Sequence, residues 1–314
     1  MPDSNVTAGI CVDSAVLIEV GNQARRLPLN FRAGARSILA GAHRSRFRGR
    51  GMDFAESRQY HPGDDVRHID WRVTARTDSV HTKLYVEERE RPVFLLMDFS
   101  PSMYFGTRHC FKSVTAASAG AYLAWSTIAG GDRLGGFIAS PDKLVDLKPG
   151  SGRRAVLNLL RAMADATQQF AKHSTGNNED LLVTALKHSA RVVHPGSLII
   201  VVSDFYGLGS VGRKFLSQLQ RHNDVVCVEV LDQLEDQPPA PGQYLVTDGK
   251  NLLKLDTSTQ TKRASYQQMF EQRQNTTREI LNELSIPLVK LVSGNDINGT
   301  LIDAFGRGKG GAAI

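Results

Sequence analysis

Long hydrophobic runs are missing from this chain. The longest uninterrupted ones, residues 93–97 (VFLLM) and 198–202 (LIIVV), are strand-length and fall far short of the ~18 residues that cross a bilayer, so no membrane insertion is expected. Cysteine is scarce: Cys11, Cys110 and Cys227 lie far apart, with no C-x-x-C and no histidine at metal spacing. That excludes a disulfide framework and a zinc site and fits a reducing cytoplasm. No basic segment precedes the mild apolar stretch at the N-terminus, so a secretory signal is not expected. The sequence also lacks H-E-x-x-H, G-K-[ST] and any evident Ser–His–Asp spacing, and its nine histidines are scattered. Each reads as a surface or turn residue, and no enzyme is expected.

What is present is the composition of a folded domain: 314 residues, 41% hydrophobic and 22% charged, enough for one large domain or two modest ones. The net charge of +6 is unevenly placed, with Arg44, Arg46, Arg48 and Arg50 in one short run. Such a run attracts phosphates or an acidic partner. Nucleic acid is the weaker reading, because few aromatic rings lie nearby for base stacking.

From residue 91 onward, apolar runs alternate with helical periodicity. Strands are expected at 92–98, 132–139, 143–147, 197–205, 224–231 and 288–292. Helices are expected at 112–128, 153–170, 179–193, 211–222 and 261–284. A hairpin is expected at 244–255, turning on Asp248-Gly249. Short β-branched runs separated by helices imply an α/β fold, a doubly wound, mostly parallel sheet covered on both faces. The organisation expected is an N-terminal region at 1–91, the α/β domain at 92–300 and a loose tail at 301–314.

Asp98, Ser100 and Ser102 follow the first buried strand, where open parallel sheets place their ligands. A carboxylate and two hydroxyls at alternate positions suit a hard cation such as Mg²⁺. Asp204 ends the other strongly apolar strand, and if the two strands are neighbours the cation would relieve repulsion between the two carboxylates. The opposing reading makes Asp98 a cap and Asp204 a loop former. Gly207-Leu-Gly209-Ser-Val-Gly212 has the form of a dinucleotide-binding turn, with Asp232 at the matching distance. Four residues separate it from the strand end, and too few strands follow, so a flexible turn is the preferred reading. In the N-terminal region, Asp64, Asp65 and Asp70 alternate with Arg67, Arg72 and Arg76, which points to mutual pairing. Trp71 is placed to anchor the segment against the α/β domain. A partner-docking role for Arg67, Asp70, Trp71, Arg72 and Arg76 is the alternative.

The string R-x-Y-x-P-G-D-D-x-R-x-I-D-W-x-x-x-A-R, from Arg58 to Arg76, stands inside a signature at 48–76. With Lys83, Glu87, Glu88 and the Asp98–Met103 segment, it closely resembles the bacterial and archaeal family called domain of unknown function 58. The resemblance covers the chain from about residue 36 to the last strand. It implies a von Willebrand factor type A-like domain with an Arg-rich N-terminal extension. It also implies an adaptor or co-chaperone role with a MoxR-type AAA+ ATPase and other type A-fold proteins. By that resemblance Asp98, Ser100 and Ser102 match the D-x-S-x-S of a metal-ion-dependent adhesion site for Mg²⁺ (Mn²⁺ or Ca²⁺ as alternatives), and Asp204 matches its later aspartate. The type A pattern also wants a threonine before the helix containing Thr184. Three readings stay open: Thr175 reaches in from a longer loop, Asp180 replaces it, or the site is incomplete.

Overall fold

A computed structural model of the chain describes residues 9–24, 53–61, 65–77, 79–86, 91–170, 181–247 and 252–305. Arg44–Arg50, Asp64, Thr175, Asp180 and the Asp248-Gly249 turn lie outside these residues. The chain divides into two compact units, Met1–Arg44 with Arg91–Ile314, and Ser45–Glu90.

In chain order the helices are α1 (Ser14–Ala24), α2 (Trp71–Thr77), α3 (Lys112–Ala129), α4 (Gly152–Phe170), α5 (Leu181–Val192), α6 (Gly209–Gln220), α7 (Gln233–Asp236), α8 (Gln260–Glu283) and α9 (Ile297–Phe305). The strands are β1 (Asp53–Gln59), β2 (His81–Val86), β3 (Pro92–Asp98), β4 (Arg133–Ser140), β5 (Lys143–Gly150), β6 (Leu198–Ser203), β7 (Asp224–Leu231), β8 (Gln243–Thr247), β9 (Leu252–Asp256) and β10 (Leu288–Val292).

In the larger unit, six strands form one sheet in the order β10-β7-β6-β3-β4-β5. All neighbours are parallel except β5, which runs antiparallel along the edge. This is the doubly wound, mostly parallel α/β sheet expected, consistent with a type A-like fold. β3, β6 and β7 are buried on both faces, so they read as continuous apolar runs without alternation. Residues of α1, α3, α4 and α9 pack in the core on one face, and residues of α5, α6 and the end of α8 in the core on the other. The Ala- and Gly-rich sequence of α3 lets it lie close to the sheet: a Cβ on Gly120 would stand 2.8 Å from both Met97 and Met163. At the lower end of the sheet, the Arg91 guanidinium donates to the carbonyls of Gly196 and Ser197 and pairs with Asp224, tying β3 to the entries of β6 and β7.

Two expected boundaries move. The segment at 9–24 belongs to the α/β unit rather than to a separate N-terminal region. Val12, Leu17 and Ala24 enter its core, and the Val12 amide donates to Thr167 Oγ1 at 3.2 Å. The expected loose tail begins too early, because α9 runs to Phe305 with Leu301 and Phe305 fully buried. Both are short helices that gain stability by packing rather than by propensity, which is why periodicity alone passes over them.

The smaller unit pairs β1 with β2 in an antiparallel ribbon. A 3₁₀ turn at Val66–His68 and α2 fold back on β2 through the Asp70 amide on the His81 carbonyl and the His81 amide on Thr74 Oγ1. Asp70 pins this arrangement. It is buried, its Oδ2 accepts from Ser57 Oγ at 2.8 Å, and its Oδ1 caps α2 through the amides of Arg72 and Val73.

α1 meets α3 at Gly21, where a Cβ would lie 2.6 Å from the Trp125 ring. Gly21→Leu therefore overpacks that crossing and is expected to lower stability by about 1–3 kcal/mol, read as a shift in the urea unfolding midpoint.

Candidate metal and partner site

The order of the sheet reverses between β3 and β6: the chain leaves β3 toward β4 on one side and later returns to β6 on the other. In an open α/β sheet, the crevice beyond the strand ends at this switch point is where ligands bind. The loops that fill it start at Asp98 and Ser203.

Asp98 is fully buried. Its Oδ1 accepts from the Ser100 amide at 2.9 Å and its Oδ2 from Ser203 Oγ at 2.6 Å. The pairing of Met97 with Val202 carries Asp98 to Ser203 as its cross-strand neighbour. Ser100 then leads into a 3₁₀ turn at Pro101–Tyr104. This brings Ser100 Oγ and Ser102 Oγ to 3.1 Å from each other. Burial, and then the nearby charge of Asp204, push the Asp98 carboxyl up to about 6.

Asp204 is held differently. The backbone of Phe205 is in the left-handed region at φ 55°, a conformation that costs a non-glycine residue on the order of 1–3 kcal/mol. Across this bend Phe205 is buried in the core beside α5 and α6, and Asp204 reaches α3. Its Oδ2 lies 2.7 Å from Lys112 Nζ, and its Oδ1 accepts from the Tyr206 amide at 2.9 Å. Lys112 also meets Glu235 Oε1 at 2.8 Å, and all three side chains are buried. Arg273 of α8 closes the cluster 3.5 Å from both carboxylates, donates to the Asp204 carbonyl, and stacks over the Tyr206 ring. Burial alone would raise Asp204, but Lys112 and then Arg273 hold it below the usual carboxylate range. Burial alone would lower Lys112, and Asp204 and Glu235 reverse that and hold it above the ordinary lysine value. Glu235 belongs to a capping box on α7, whose partner Asp232 also takes the Thr107 hydroxyl and amide.

The structure thus brings Asp98, Ser100 and Ser102 together and gives Asp204 to Lys112. The expectation placed two free carboxylates over one cation; in the structure Asp204 Oδ2 meets the Lys112 ammonium. Among the described residues, no three His, Cys, Asp or Glu side chains converge as a metal cluster. The donor set that remains, one carboxylate and two hydroxyls, fits a hard cation. Adjacent oxygens around an octahedral ion at ~2.1 Å are about 3 Å apart, close to the Ser100–Ser102 separation. The glycines at 207–212 serve a turn: Gly207 and Gly209 have φ of 77° and 47°, and Gly209 already opens α6.

Sequence reasoning missed Lys112, Ser203, Glu235 and Arg273. Lys112 left a signal, as the one charged residue of an otherwise uncharged α3. It stands at the helix N-terminus, where the macrodipole disfavours a cation. Asp232 and Glu235 likewise show the spacing of a capping box.

An α/β domain with an oxygen-donor loop at its switch point is what the fold and site define. A family model described as "Protein of unknown function DUF58" matches residues 56–276, and the chain belongs to that family. Uncharacterized proteins of Mycobacterium bovis and Mycobacterium tuberculosis are 33% identical over 227 residues, 72% of this chain and 70% of theirs. Among solved structures, BatB from Bacteroides thetaiotaomicron is 10% identical with a TM-score of 0.39, covering 68% of this chain and 95% of that one. An aerotolerance-related membrane protein from Bacteroides fragilis is 12% identical with a TM-score of 0.41, covering 69% and 98%. No helix among the described residues is long and apolar enough to cross a membrane.

Removing one member of a buried ion cluster leaves the others unpaired, at a cost of about 3–5 kcal/mol. Lys112→Met is expected to lose that much in urea unfolding, and adding Asp204→Asn and Glu235→Gln to restore most of it. Asp98 gives a pH signature. With its folded pKa near 6 against 3.8 unfolded, the native state binds more protons between those values, so stability falls as pH rises through the window. Asp98→Asn removes the fall. Its stability relative to wild type should rise by on the order of 2 kcal/mol between pH 4.5 and 7.5 in metal-free buffer.

Proposed function

We propose that this chain is a non-enzymatic, cytoplasmic adaptor that engages a partner protein through a divalent cation held by Asp98, Ser100 and Ser102. Mg²⁺ is the ion favoured by an all-oxygen donor set, with Mn²⁺ and Ca²⁺ as alternatives. The observation that carries the reading is the hydroxyl pair of Ser100 and Ser102, 3.1 Å apart beside the buried Asp98 at the sheet's switch point. One carboxylate on a doubly charged ion leaves net positive charge, which favours a carboxylate from a partner as a further ligand. Asp204 supports the site at one remove, by anchoring Lys112 and the loop after β6. The partner proposed from the sequence resemblance is a MoxR-type AAA+ ATPase, with other type A-fold proteins in the same assembly.

Two other readings have less behind them. Electrostatic binding through Arg44, Arg46, Arg48 and Arg50 rests on residues outside those described. Nucleotide chemistry at Gly207–Gly212 is disfavoured, because Asp204, Phe205 and Tyr206 separate the end of β6 from the first glycine and, with Ser203, hold the polar contacts there.

Isothermal titration with Mn²⁺ tests the cation. Asp98→Ala is expected to abolish binding, whereas Asp204→Asn should leave affinity within about threefold, because in this reading Asp204 is given to Lys112. Capture of the candidate ATPase should require Mg²⁺ and fail with EDTA. Capture that is unchanged by EDTA and by Asp98→Ala overturns the cation-bridged reading.

A further inference from the structure

Alternating charges at 65–76 predict that the aspartates neutralise the arginines. Both described carboxylates instead bond to backbone. Asp65 accepts from the Arg67 amide at 3.0 Å and caps the 3₁₀ turn. Asp70 is buried under the start of α2, bonded to two amides and to Ser57. Among the described residues, no ion pair reaches Arg67, Arg72 or Arg76, and all three are exposed.

Trp71 lies on the same short stretch, and 71% of it is exposed; it does not pack as an anchor. One turn along α2 the neighbour on its face is Ala75, also exposed, too small to cover the indole. Arg72 and Arg76 form the adjacent line on the helix, one turn apart. Val66, at the start of the 3₁₀ turn, is 63% exposed. Asp70, expected among the docking residues, is not on this surface; it fixes the backbone that carries it.

We propose that Arg67, Trp71, Arg72 and Arg76 form a docking surface for an acidic segment of a partner protein, separate from the cation site. Arginine and tryptophan are the side chains that most often dominate binding energy at protein interfaces. Here the guanidiniums have no ion-pair partner among the described residues and most of the indole is already exposed, so docking breaks no described ion pair. The charge complement is a segment rich in aspartate and glutamate, and Val66 and Trp71 add apolar contact. Nucleic acid fits less well: Trp71 is the only Phe, Tyr or Trp in residues 65–77, and single strands are gripped by stacking successive bases on several rings.

The test uses the full chain and a fluorescein-labelled eight-residue peptide of aspartate and glutamate with one central leucine, followed by anisotropy. The peptide is expected to bind at low salt, with or without EDTA, and to weaken steeply as salt rises. W71A should weaken it roughly tenfold or more, and the triple charge reversal R67E/R72E/R76E should abolish it. Among the described residues these side chains are exposed and make no ion pair, so the unfolding temperature of both variants should stay close to wild type. Peptide binding untouched by both variants, or no peptide binding at low salt, overturns the proposal. So does tighter binding of a labelled oligothymidylate through the same residues, which would make the surface a nucleic-acid site. Because EDTA is present in one arm, failure of the cation site leaves this result unchanged, and the reverse also holds.

Discussion

A lysine ammonium with almost no access to water sits between two carboxylates, Asp204 and Glu235, and the top of the sheet is organised around it. Lys112 begins the central helix α3, Asp204 follows β6, Glu235 follows β7, and Arg273 approaches from α8. One cluster therefore fixes the loops after two neighbouring strands and the entry of the helix that fills the core. Removing charges from water is expensive, and only close geometry with further hydrogen bonds offsets it. Those bonds are present: the Tyr206 amide on Asp204 and the Asp232 amide on Glu235. The cluster thus ties the loops after β6 and β7 to α3 and α8.

That arrangement separates two aspartates that sequence alone treats as equivalent. Asp98 and Asp204 both end apolar parallel strands and both are buried. Asp204, beside a cation, is held ionised, while Asp98 is pushed toward neutrality by its burial and then by the Asp204 charge, against the opposing pull of its hydrogen bonds from Ser203 and Ser100. Environments that drive two like groups apart mark them for different roles. The aspartate already paired has a structural role, and the one without an internal cation is the group that gains most from an external one.

The centre of the sheet was legible in the sequence because β3, β6 and β7 are buried on both faces, which leaves unbroken runs such as LIIVV and VFLLM whose type needs no tertiary information. Their neighbours in space were legible less directly, through the rule that ligand residues gather beyond parallel strand ends. The partner of Asp204 was not legible, because Lys112 is 92 residues away and nothing local to either position signals the other. Periodicity also passed over α1 and α9, whose stability comes from packing against the α/β core. Phe205 illustrates the same limit. A phenylalanine in the left-handed region contradicts local preference, and only the burial of its ring and the pull of Lys112 on the preceding residue account for it.

In the smaller unit, charge alternation misled for a definite reason. A carboxylate one or two residues before a helical turn can pair with a nearby guanidinium on the surface or cap the orphan amides at its start. An exposed pair contributes little, since water screens it and ordering two long side chains costs entropy. A cap satisfies amides that have no other partner, and Asp65 and Asp70 take that role. The arginines are then left with their charge toward solvent as a consequence of how the turn is built. A segment whose acids face its own backbone and whose bases face outward has a positive surface that its formal composition, nearly balanced in sign, conceals.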